Sequence, residues 1–325
     1  MAYNGEDVRK VKEILAGRRS EALETSYRRK LEAAAKIPGY AEIEEALSAT
    51  GSKIMDAAFT HSLDDAKLNE IRAENEGLRS RKALLLTQHG YEADYTDIHY
   101  FCKACSDTGY IGVNMCTCMR EELIKAGIES AGLNSLVKTQ SFETFSLDFY
   151  ENHDRIVMES NARQLWRFAN GFSAETTDSW LLTGATGLGK THLSTAVAGV
   201  VIRRGFNVIY DTVQDILEVY EEDRFQHGEG IQHQRGRTVE AIQTCDLLIV
   251  DDLGSELTNQ FTVSCLYNMI NTRITRGKPT IINTNLNQAE IRSRYSDRIS
   301  SRLFGEYKPL LFRGSDIRSQ KILKK

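Results

Sequence analysis

One eight-residue stretch of the chain combines the residue types that bind phosphate. Residues 184–191 read GATGLGKT and fit the pattern G-x-x-x-x-G-K-[ST] at every fixed position. Glycines let a backbone curl until its N–H groups point at phosphate oxygens, and the start of the following helix adds the positive end of its dipole. In such a loop Lys190 contacts the β- and γ-phosphates of a nucleotide, and the Thr191 hydroxyl holds Mg²⁺. The residues expected to contact the nucleotide are Gly184, Ala185, Thr186, Gly187, Leu188, Gly189, Lys190, Thr191 and His192.

A second element suited to this chemistry is an apolar strand that ends in two carboxylates. Residues 245–252 read CDLLIVDD, and so apolar a run is typical of a central parallel strand buried on both faces. Its carboxyl end is expected beside the phosphate loop, where open α/β sheets bind ligands. Asp251 is predicted to hold Mg²⁺, directly or through water, and Asp252 to orient or activate the attacking water. The alternative is that two aspartates simply end a strand and begin a turn.

Polar residues later in the chain complete the predicted nucleotide site. Asn285 closes another predicted strand and is expected to hydrogen-bond the attacking water or the γ-phosphate. Asn283 is the alternative for this role. The competing interpretation is that Asn285 only caps the turn after the strand. Arg298 and Arg302 are four residues apart, so they share one helix face. That face either supplies an arginine to a neighbouring subunit's nucleotide or is a solvated basic surface. Arg318 is a weaker candidate for a phosphate contact within the same subunit.

Four of the six cysteines fall within seventeen positions, which predicts a metal site. Two cysteine pairs on opposed turns can place four thiolates around one Zn²⁺, although the second pair is C-x-C rather than the more usual C-x-x-C. A disulfide or a redox dithiol is the competing interpretation, and His99 is a possible substitute ligand. The other two cysteines, Cys245 and Cys265, have apolar neighbours and are expected in the core. The predicted zinc ligands are Cys102, Cys105, Cys116 and Cys118.

Predicted strands alternate with predicted helices around these residues, which indicates a parallel sheet with helices on both faces. The predicted strands are 179–183, 206–210, 245–252, 279–285 and 310–312. The predicted helices between and before them are 154–172, 191–198, 215–222 and 259–276, with a polar loop at 226–236. The fold class is therefore α/β, a P-loop nucleotide-binding domain.

The first part of the chain reads as a small helical domain. Helices are expected at about 8–35, 41–47 and 62–88, and the Ile37-Pro38-Gly39 sequence ends the first of them. Apolar residues at 71, 78 and 85 fit either a short coiled coil or, more readily, packing inside a helical domain. The predicted domains are residues 1–131, with the cysteine module at about 99–120, a linker at 132–153 and a nucleotide-binding domain at 154–325.

The composition is that of an ordinary globular protein. Hydrophobic residues make up 41% and charged residues 26% of 325 residues, and no apolar run is long enough for a membrane span. The net charge of −4 gives no overall nucleic-acid signature, so any DNA contact must come from a local basic patch. The N-terminus lacks a signal-peptide pattern, and a cytoplasmic location is expected.

These motifs together resemble the AAA+ ATPases of the bacterial helicase-loader group, which includes the loaders DnaC and DnaI and the transposase helper IstB. The resemblance covers roughly residues 138–325 and rests on the phosphate loop, the acid-ended strand, Asn283-Thr284-Asn285 and the segment 298–302. The cysteine module and the helix break at residues 37–39 resemble the DnaI-like members, which carry a zinc-binding N-terminal domain.

The resemblance implies a mechanism and a set of partners. ATP with Mg²⁺ binds at an interface of a homo-oligomer, the N-terminal domain engages a replicative DnaB-type helicase, and the ATPase domain contacts single-stranded DNA while the helicase is loaded. By motif position Arg302 is the preferred arginine from the neighbouring subunit, Arg298 the second choice, and Arg318 a residue of the sensor-2 type. Asp252 stands where many AAA+ proteins carry Glu, and its shorter reach predicts slow, switch-like hydrolysis. The alternatives are a helper ATPase of transposition or of a phage, acting on duplex DNA with a recombinase, and a DNA-binding regulator in which ATP is structural.

Overall fold

The computed structural model describes residues 3–59, 65–225 and 238–323, which form two compact units. One unit contains Lys12–Met119, and the other contains Met1–Val11 with Arg120–Lys325. These limits differ from the predicted domain boundaries, which remain a prediction. Among the described residues, every helix is too short or too polar to cross a bilayer. The loop predicted at 226–236 lies outside the described residues.

The first unit is built mainly from long helices. They are α1 (Gly5–Lys36), whose residues up to Val11 are assigned to the other unit, α2 (Tyr40–Phe59) and α3 (Asp65–Gln88). The chain turns between α1 and α2 where the proline and glycine were expected to end the first helix. A small core joins the helices through Ala33, Ile37, Tyr40 and Leu86.

The second helix corrects the sequence prediction, because it extends well past residue 47. Four of residues 48–52 are serine, threonine or glycine, which are weak helix formers, but no proline is present to stop the helix. Asn75 of α3 donates a hydrogen bond to Thr50 of α2 over 2.7 Å, and Thr50 is buried. The interior contact favours packing within a helical domain over a coiled coil for α3.

A short hairpin and a helix follow. The hairpin pairs β1 (Tyr110–Ile111) with β2 (Asn114–Met115) in antiparallel register, and α4 (Thr117–Ser130) begins directly after it. A single 3₁₀ turn, Leu147–Phe149, precedes α5 (Asn152–Gly171). The predicted linker therefore contains some ordered structure, and both Leu133 and Tyr150 are buried in the core of the second unit.

The second unit contains a five-stranded sheet in the order β4-β5-β6-β3-β7, with all neighbours parallel. The strands are β3 (Ser179–Thr183), β4 (Val208–Thr212), β5 (Leu247–Leu253), β6 (Thr280–Thr284) and β7 (Tyr307–Leu311). The helices are α6 (Lys190–Arg203), α7 (Val213–Phe225), α8 (Val239–Thr244), α9 (Gln260–Thr275), α10 (Gln288–Tyr295), α11 (Asp297–Glu306) and α12 (Ile317–Leu323). The predicted α/β fold is confirmed.

The alternation of side chains along the strands divides the core into two clusters, one on each face of the sheet. In β5, Leu247 and Ile249 belong to the cluster that contains residues of α5 and α6, whereas Leu248 and Val250 belong to the cluster with residues of α7, α9 and α11. By the same alternation Asp251 projects from the α6 face. The start of α6 therefore lies over the polar end of β5.

Candidate nucleotide site and cysteine cluster

The loop between β3 and α6 has the backbone conformation that its glycines predict. Gly184, Gly187 and Gly189 all have positive φ, at 144°, 75° and 89°. A side chain at residue 184 would also collide with the chain after β7, because its Cβ would lie 2.4 Å from the carbonyl oxygen of Phe312. A Cβ at residue 187 would be closer still to Asp316, whose Oδ1 would lie 1.9 Å from it. Two of the glycines therefore allow the C-terminal segment to dock on the loop.

Lys190 is the first residue of α6 and its ammonium group folds back over the loop. Its Nζ donates to the carbonyl oxygens of Gly184 and Ala185 over 2.5 and 2.7 Å, and only 7% of the residue is exposed. Burial lowers the pKa of Lys190, and the nearby charges of Asp252 and Asp251 oppose that shift. The arrangement holds a cation at the mouth of the loop, where phosphate oxygens would replace the carbonyl acceptors.

Strand β5 is irregular at its two aspartates. Val250 pairs with Ile282 and Leu253 with Thr284, so the two aspartates oppose one residue of β6. Such a bulge re-aims side chains next to functional sites. Asp252 has φ 57°, a left-handed conformation that aspartate tolerates better than most residues. It is exposed and lines the cavity, while Asp251 is buried.

Asp251 is surrounded by hydrogen-bond donors. Its Oδ1 accepts from the Thr191 hydroxyl at 3.3 Å and from Asn283 Nδ2 at 2.9 Å. Its Oδ2 accepts from the Tyr210 hydroxyl at 2.7 Å. Burial raises the pKa of Tyr210, with the Asp251 charge adding to the shift, so the phenol stays a neutral donor. The fold thus places three predicted site residues close together, Lys190, Thr191 and Asp251.

The two asparagines of β6 and its end differ in environment. Asn283 is 1% exposed and donates to both Asp251 and Ser194, whereas Asn285 follows the strand and is exposed. Asn283, the second choice from the sequence, is thus the one that touches the acidic residue. The γ-phosphate role of Asn285 remains a prediction.

The residues at this corner fit a magnesium ion. Mg²⁺ prefers oxygen ligands, and the Thr191 hydroxyl and the Asp251 carboxylate offer them side by side. The Oδ1 atom of Asn283 is buried and has no hydrogen-bond partner among the described residues. A buried acceptor of this kind would be satisfied by a water of the ion's hydration shell.

The phosphate loop forms one wall of a cavity of about 230 Å³. The segment 140–149, which belongs to the predicted linker, forms another wall. Phe145 contacts the ring of His192 edge-on at 5.4 Å, and His192 Nε2 lies 2.8 Å from the Ser141 carbonyl oxygen. Buried Tyr150 donates to the Leu188 carbonyl oxygen over 2.9 Å. The three aromatic residues between 145 and 150 were the sequence signal that this segment packs rather than links.

The C-terminal segment brings Arg318 to the same cavity. Arg318 is among the lining residues, and its charge is close enough to contribute to the lowered pKa of Lys190, after the larger effect of burial. Asp316 accepts the backbone N–H of Arg318 over 2.8 Å, and the Ile317 N–H donates to the Gly187 carbonyl oxygen over 3.1 Å. The predicted same-subunit contact of Arg318 is therefore geometrically available.

Arg298 and Arg302 lie elsewhere in this unit. Both line a separate shallow pocket on α11 with Tyr267 and Glu306, and neither is among the residues that line the nucleotide cavity. The Arg302 guanidinium stands 5.5 Å from the centre of the Tyr267 ring. Within the described residues these arginines do not reach the phosphate loop of their own chain, and a role for them requires a second subunit.

The four clustered cysteines converge in the helical unit. All lie in the described part of the chain as free thiols, and their sulfur atoms are within 4.8 Å of one another. Cys102 is 3.7 Å from Cys116 and Cys105 is 3.4 Å from Cys118, sulfur to sulfur. Tetrahedral Zn²⁺ with bonds of about 2.3 Å spaces its sulfurs about 3.8 Å apart. The four sulfurs therefore fit one zinc ion.

A buried aspartate shapes the first cysteine turn. Asp107 accepts the backbone N–H groups of Phe101 and Cys102 over 2.9 and 2.8 Å. A backbone hydrogen bond from Cys118 is the main cause that lowers the pKa of Cys116 to about 7, whereas burial is the main cause that raises the pKa of Cys118. His99 instead lies beside Asp94, within 3.0 Å of its carbonyl oxygen. No pattern in the sequence had pointed to Asp107.

Comparison with known proteins assigns the domain that carries the phosphate loop. Residues 132–302, more than half of the chain, match the family model described as IstB-like ATP binding protein. The chain belongs to this family. The match confirms the predicted ATP-binding domain of the ATPase type and the predicted loader group, in which IstB-like proteins were included. It also begins at residue 132, so the family domain includes the segment that lines the cavity opposite the loop.

Curated relatives carry two kinds of name. The replicative helicase loader DnaC of Escherichia coli (strain K12) is 25% identical over 173 residues, which are 53% of this chain and 66% of DnaC. DnaC of Buchnera aphidicola subsp. Baizongia pistaciae is 22% identical over the same shares. The ATP-binding protein of insertion sequence IS1162 from Pseudomonas fluorescens is 38% identical over 74 residues, 23% of this chain and 29% of that protein. The chain thus spans just under two thirds of the DnaC proteins it matches.

Two solved structures are also similar to part of the chain. The crystal structure of the DnaC helicase loader has a TM-score of 0.46 at 20% identity, over 55% of this chain and 99% of that one. The crystal structure of DnaI has a TM-score of 0.44 at 20% identity, over 56% of this chain and 92% of that one. TM-scores below 0.5 support no further conclusion.

Proposed function

We propose that this protein is an ATP-dependent loader that delivers a replicative DnaB-type helicase to single-stranded DNA. The observation that carries the proposal is the joining of two sites in one chain: an ATP-binding corner of the loader-group family and a four-cysteine cluster in the helical unit. Relatives named replicative helicase loader match the ATP-binding part over about half of the chain. The helical unit with its zinc-type cluster is the candidate for helicase binding.

At the ATP-binding corner each residue has a proposed role. Lys190 holds the β- and γ-phosphates, and Thr191 with Asp251 would hold Mg²⁺. Bound Mg²⁺ supplies positive charge that offsets the charge of the transferring phosphoryl group. Asp252 orients or activates the attacking water from its position on the cavity wall, and Asn285 senses the γ-phosphate. The short Asp252 side chain keeps hydrolysis slow, which suits a switch.

Arginines supply the remaining charge from two directions. Arg318 contacts the phosphates from within the chain, since it lines the same cavity as the loop. Arg302, or in second place Arg298, reaches the nucleotide of a neighbouring subunit. Both arginines lie on α11, outside the cavity that the phosphate loop lines in their own chain. ATP would thereby favour assembly of a homo-oligomer on the helicase ring. Mixing the Arg302→Ala and Lys190→Ala chains should restore part of the hydrolysis that either lacks alone.

The cysteine cluster is proposed to hold zinc as a structural ion. Cys102, Cys105, Cys116 and Cys118 would fill all four positions of a tetrahedral ion, which leaves none open for substrate. The ion would tie the turn at residues 102–107 to the start of α4. It would thus fix the surface that the helical unit offers to its partner.

A second candidate is a helper ATPase of transposition, favoured by the similarity to the IS1162 protein over the ATP-binding part. The discriminating experiment is size-exclusion chromatography of the full chain with the replicative helicase of the same source, with and without ATP and Mg²⁺. Co-elution that depends on the helical unit's zinc supports the loader. Failure to bind the helicase, together with preference for duplex over single-stranded DNA in band shifts, would support the transposition helper instead.

A further inference from the structure

A buried tyrosine contacts the proposed magnesium site, although it belongs to none of the sequence motifs that predict this site. Tyr210 lies in β4, where Thr212 pairs with Asp251, so the tyrosine is the diagonal neighbour of that aspartate on the α6 face of the sheet. Its hydroxyl donates to Asp251 Oδ2 over 2.7 Å. Tyr210 is 8% exposed, so this hydrogen bond is sheltered from water.

The donors around Asp251 divide between its two oxygens. Oδ1 faces the Thr191 hydroxyl and also receives hydrogen bonds from Asn283 and from the backbone N–H of Asp252, at 3.3, 2.9 and 3.1 Å. Oδ2 receives the phenol of Tyr210. A carboxylate held through both oxygens cannot rotate about its Cβ–Cγ bond without losing a hydrogen bond. The phenol therefore fixes the orientation in which Oδ1 faces Thr191.

Packing alone does not account for the hydroxyl. A phenylalanine would fill the same space in the core with no buried polar atom, whereas burying a hydroxyl is costly unless it is hydrogen-bonded. Ser194 Oγ is 3.4 Å from the phenol, a longer contact than the one to Asp251, and the Thr195 side chain also lies near it. The carboxylate is therefore the partner that makes a buried hydroxyl favourable here.

We infer that Tyr210 is a positioning residue of the magnesium site, which orients the Asp251 carboxylate so that one oxygen is presented beside the Thr191 hydroxyl. The inference rests on the proposed binding of ATP with Mg²⁺ at this corner. Residues that orient a metal ligand typically change metal affinity by about 10- to 100-fold when they are removed. The phosphate contacts of the loop and of Lys190 do not pass through Tyr210.

The test compares magnesium dependence with nucleotide affinity in the full-length protein. Binding of the fluorescent analogue mant-ATP is titrated first in EDTA and then against free Mg²⁺, for the wild type, for Tyr210→Phe and for Tyr220→Phe. Tyr220 is a matched control, since it is also a buried tyrosine of this unit, on α7, and its hydroxyl contacts Gln243 at 3.4 Å. Tyr210→Phe should raise the half-saturating Mg²⁺ concentration about 10-fold with affinity in EDTA unchanged. Tyr220→Phe should leave both values as in the wild type.

Each other result has a definite meaning. A wild-type Mg²⁺ curve in Tyr210→Phe would overturn the inference, as would an equal loss of affinity in EDTA and in Mg²⁺, because that loss would show a merely structural role. A wild-type protein whose mant-ATP binding does not respond to Mg²⁺ would overturn the proposed Mg²⁺ site together with the inference. A normal wild-type response with an unaltered variant would overturn the inference alone.

Discussion

The nucleotide corner and the cysteine cluster each bring several ligand atoms together, but they do so in different ways. The corner joins residues from Gly184 to Arg318, which lie on the phosphate loop and the start of α6, on the three strands β4, β5 and β6, and on the C-terminal segment of one parallel sheet unit. The cluster joins four thiols within seventeen positions, around a hairpin of two-residue strands and the start of α4. The nucleotide corner is positioned by a large hydrophobic core, whereas the cysteine cluster is positioned by a short segment of about twenty residues.

This difference predicts opposite dependence on the bound species. The sheet unit buries two apolar clusters, so its corner keeps its geometry through packing that exists without ATP. The hairpin is far too short to be stable alone, and its strand residues are largely exposed. We therefore expect the metal to stabilise the cluster, whereas the nucleotide occupies a corner that is already formed.

The largest expected effect is loss of the metal. Cys102→Ser should reduce bound zinc from about one equivalent to a small fraction, because three thiolates with a hydroxyl form a much weaker site. Metal content is measured by mass spectrometry of the purified protein. The region around residues 101–119 should then exchange its backbone amides faster, while binding of ATP remains unchanged.

The control for this variant is Cys265→Ser, a buried cysteine of the sheet unit that is remote from the cluster in sequence. It should keep its zinc. A Cys102→Ser protein that retains a full equivalent of zinc, or a wild-type protein that is well folded without metal, would remove the contrast between the two sites.

The next largest effect is on nucleotide affinity. Lys190→Ala should weaken ATP binding about 100-fold, or about 2.7 kcal/mol, since it removes charge-assisted hydrogen bonds to phosphate. Isothermal titration calorimetry gives the affinity. Lys308→Ala is the control, because Lys308 is half exposed and pairs with Asp178 at the protein surface, where such pairs contribute little. Equal affinities for the two variants would contradict the assignment of the corner.

A smaller effect should come from the glycine on which the C-terminal segment docks. Gly187→Ala places a side chain at φ 75°, which costs about 1–2 kcal/mol, and brings its Cβ against the Asp316 carboxylate. ATP affinity should fall about 10-fold. Adding Asp316→Ala should recover the part that comes from the contact and leave the part that comes from the backbone. Gly171→Ala is the control, since its φ is not positive and no described residue outside its own helix turn lies within 4 Å of where its Cβ would stand.

The sequence predicted best what depends on short spacing. The phosphate loop, the acid-ended strand and the cysteine pairs each lie within a few residues, so their chemistry could be read directly. The order of elements also predicted the parallel sheet, because alternating strands and helices leave few other arrangements. The predicted end of α2 was wrong by twelve residues, because the helix runs to Phe59 and not to Leu47. Weak helix formers without a proline do not end a helix that is packed against a neighbour.

The sequence did not predict contacts that depend on long-range register. Tyr210 reaches Asp251 only because β4 pairs with β5 in one particular register, and Asp107 holds the cysteine turn only because Ser106 and Asp107 both adopt positive φ. Nothing in the local pattern distinguishes these residues from an ordinary core tyrosine or turn aspartate. The bulge at Asp251 and Asp252 is likewise a property of the paired strands.

The smallest expected change in ATP affinity is that of Asn285→Ala, with Asn283→Ala as the comparison. Asn285→Ala should leave ATP affinity within about twofold and stability within about 0.5 kcal/mol, because the side chain is exposed, yet slow hydrolysis about 10-fold if it senses the γ-phosphate. Asn283→Ala should instead lower stability by about 1–3 kcal/mol, because Asp251 and Ser194 lose a buried donor. Thermal unfolding and single-turnover hydrolysis report the two effects. Asn285→Ala could instead hydrolyse ATP at the wild-type rate while Asn283→Ala is slowed by more than its loss of stability explains. In that case Asn283, the buried residue, senses the γ-phosphate, and the polar chemistry of the corner depends on a residue of the core.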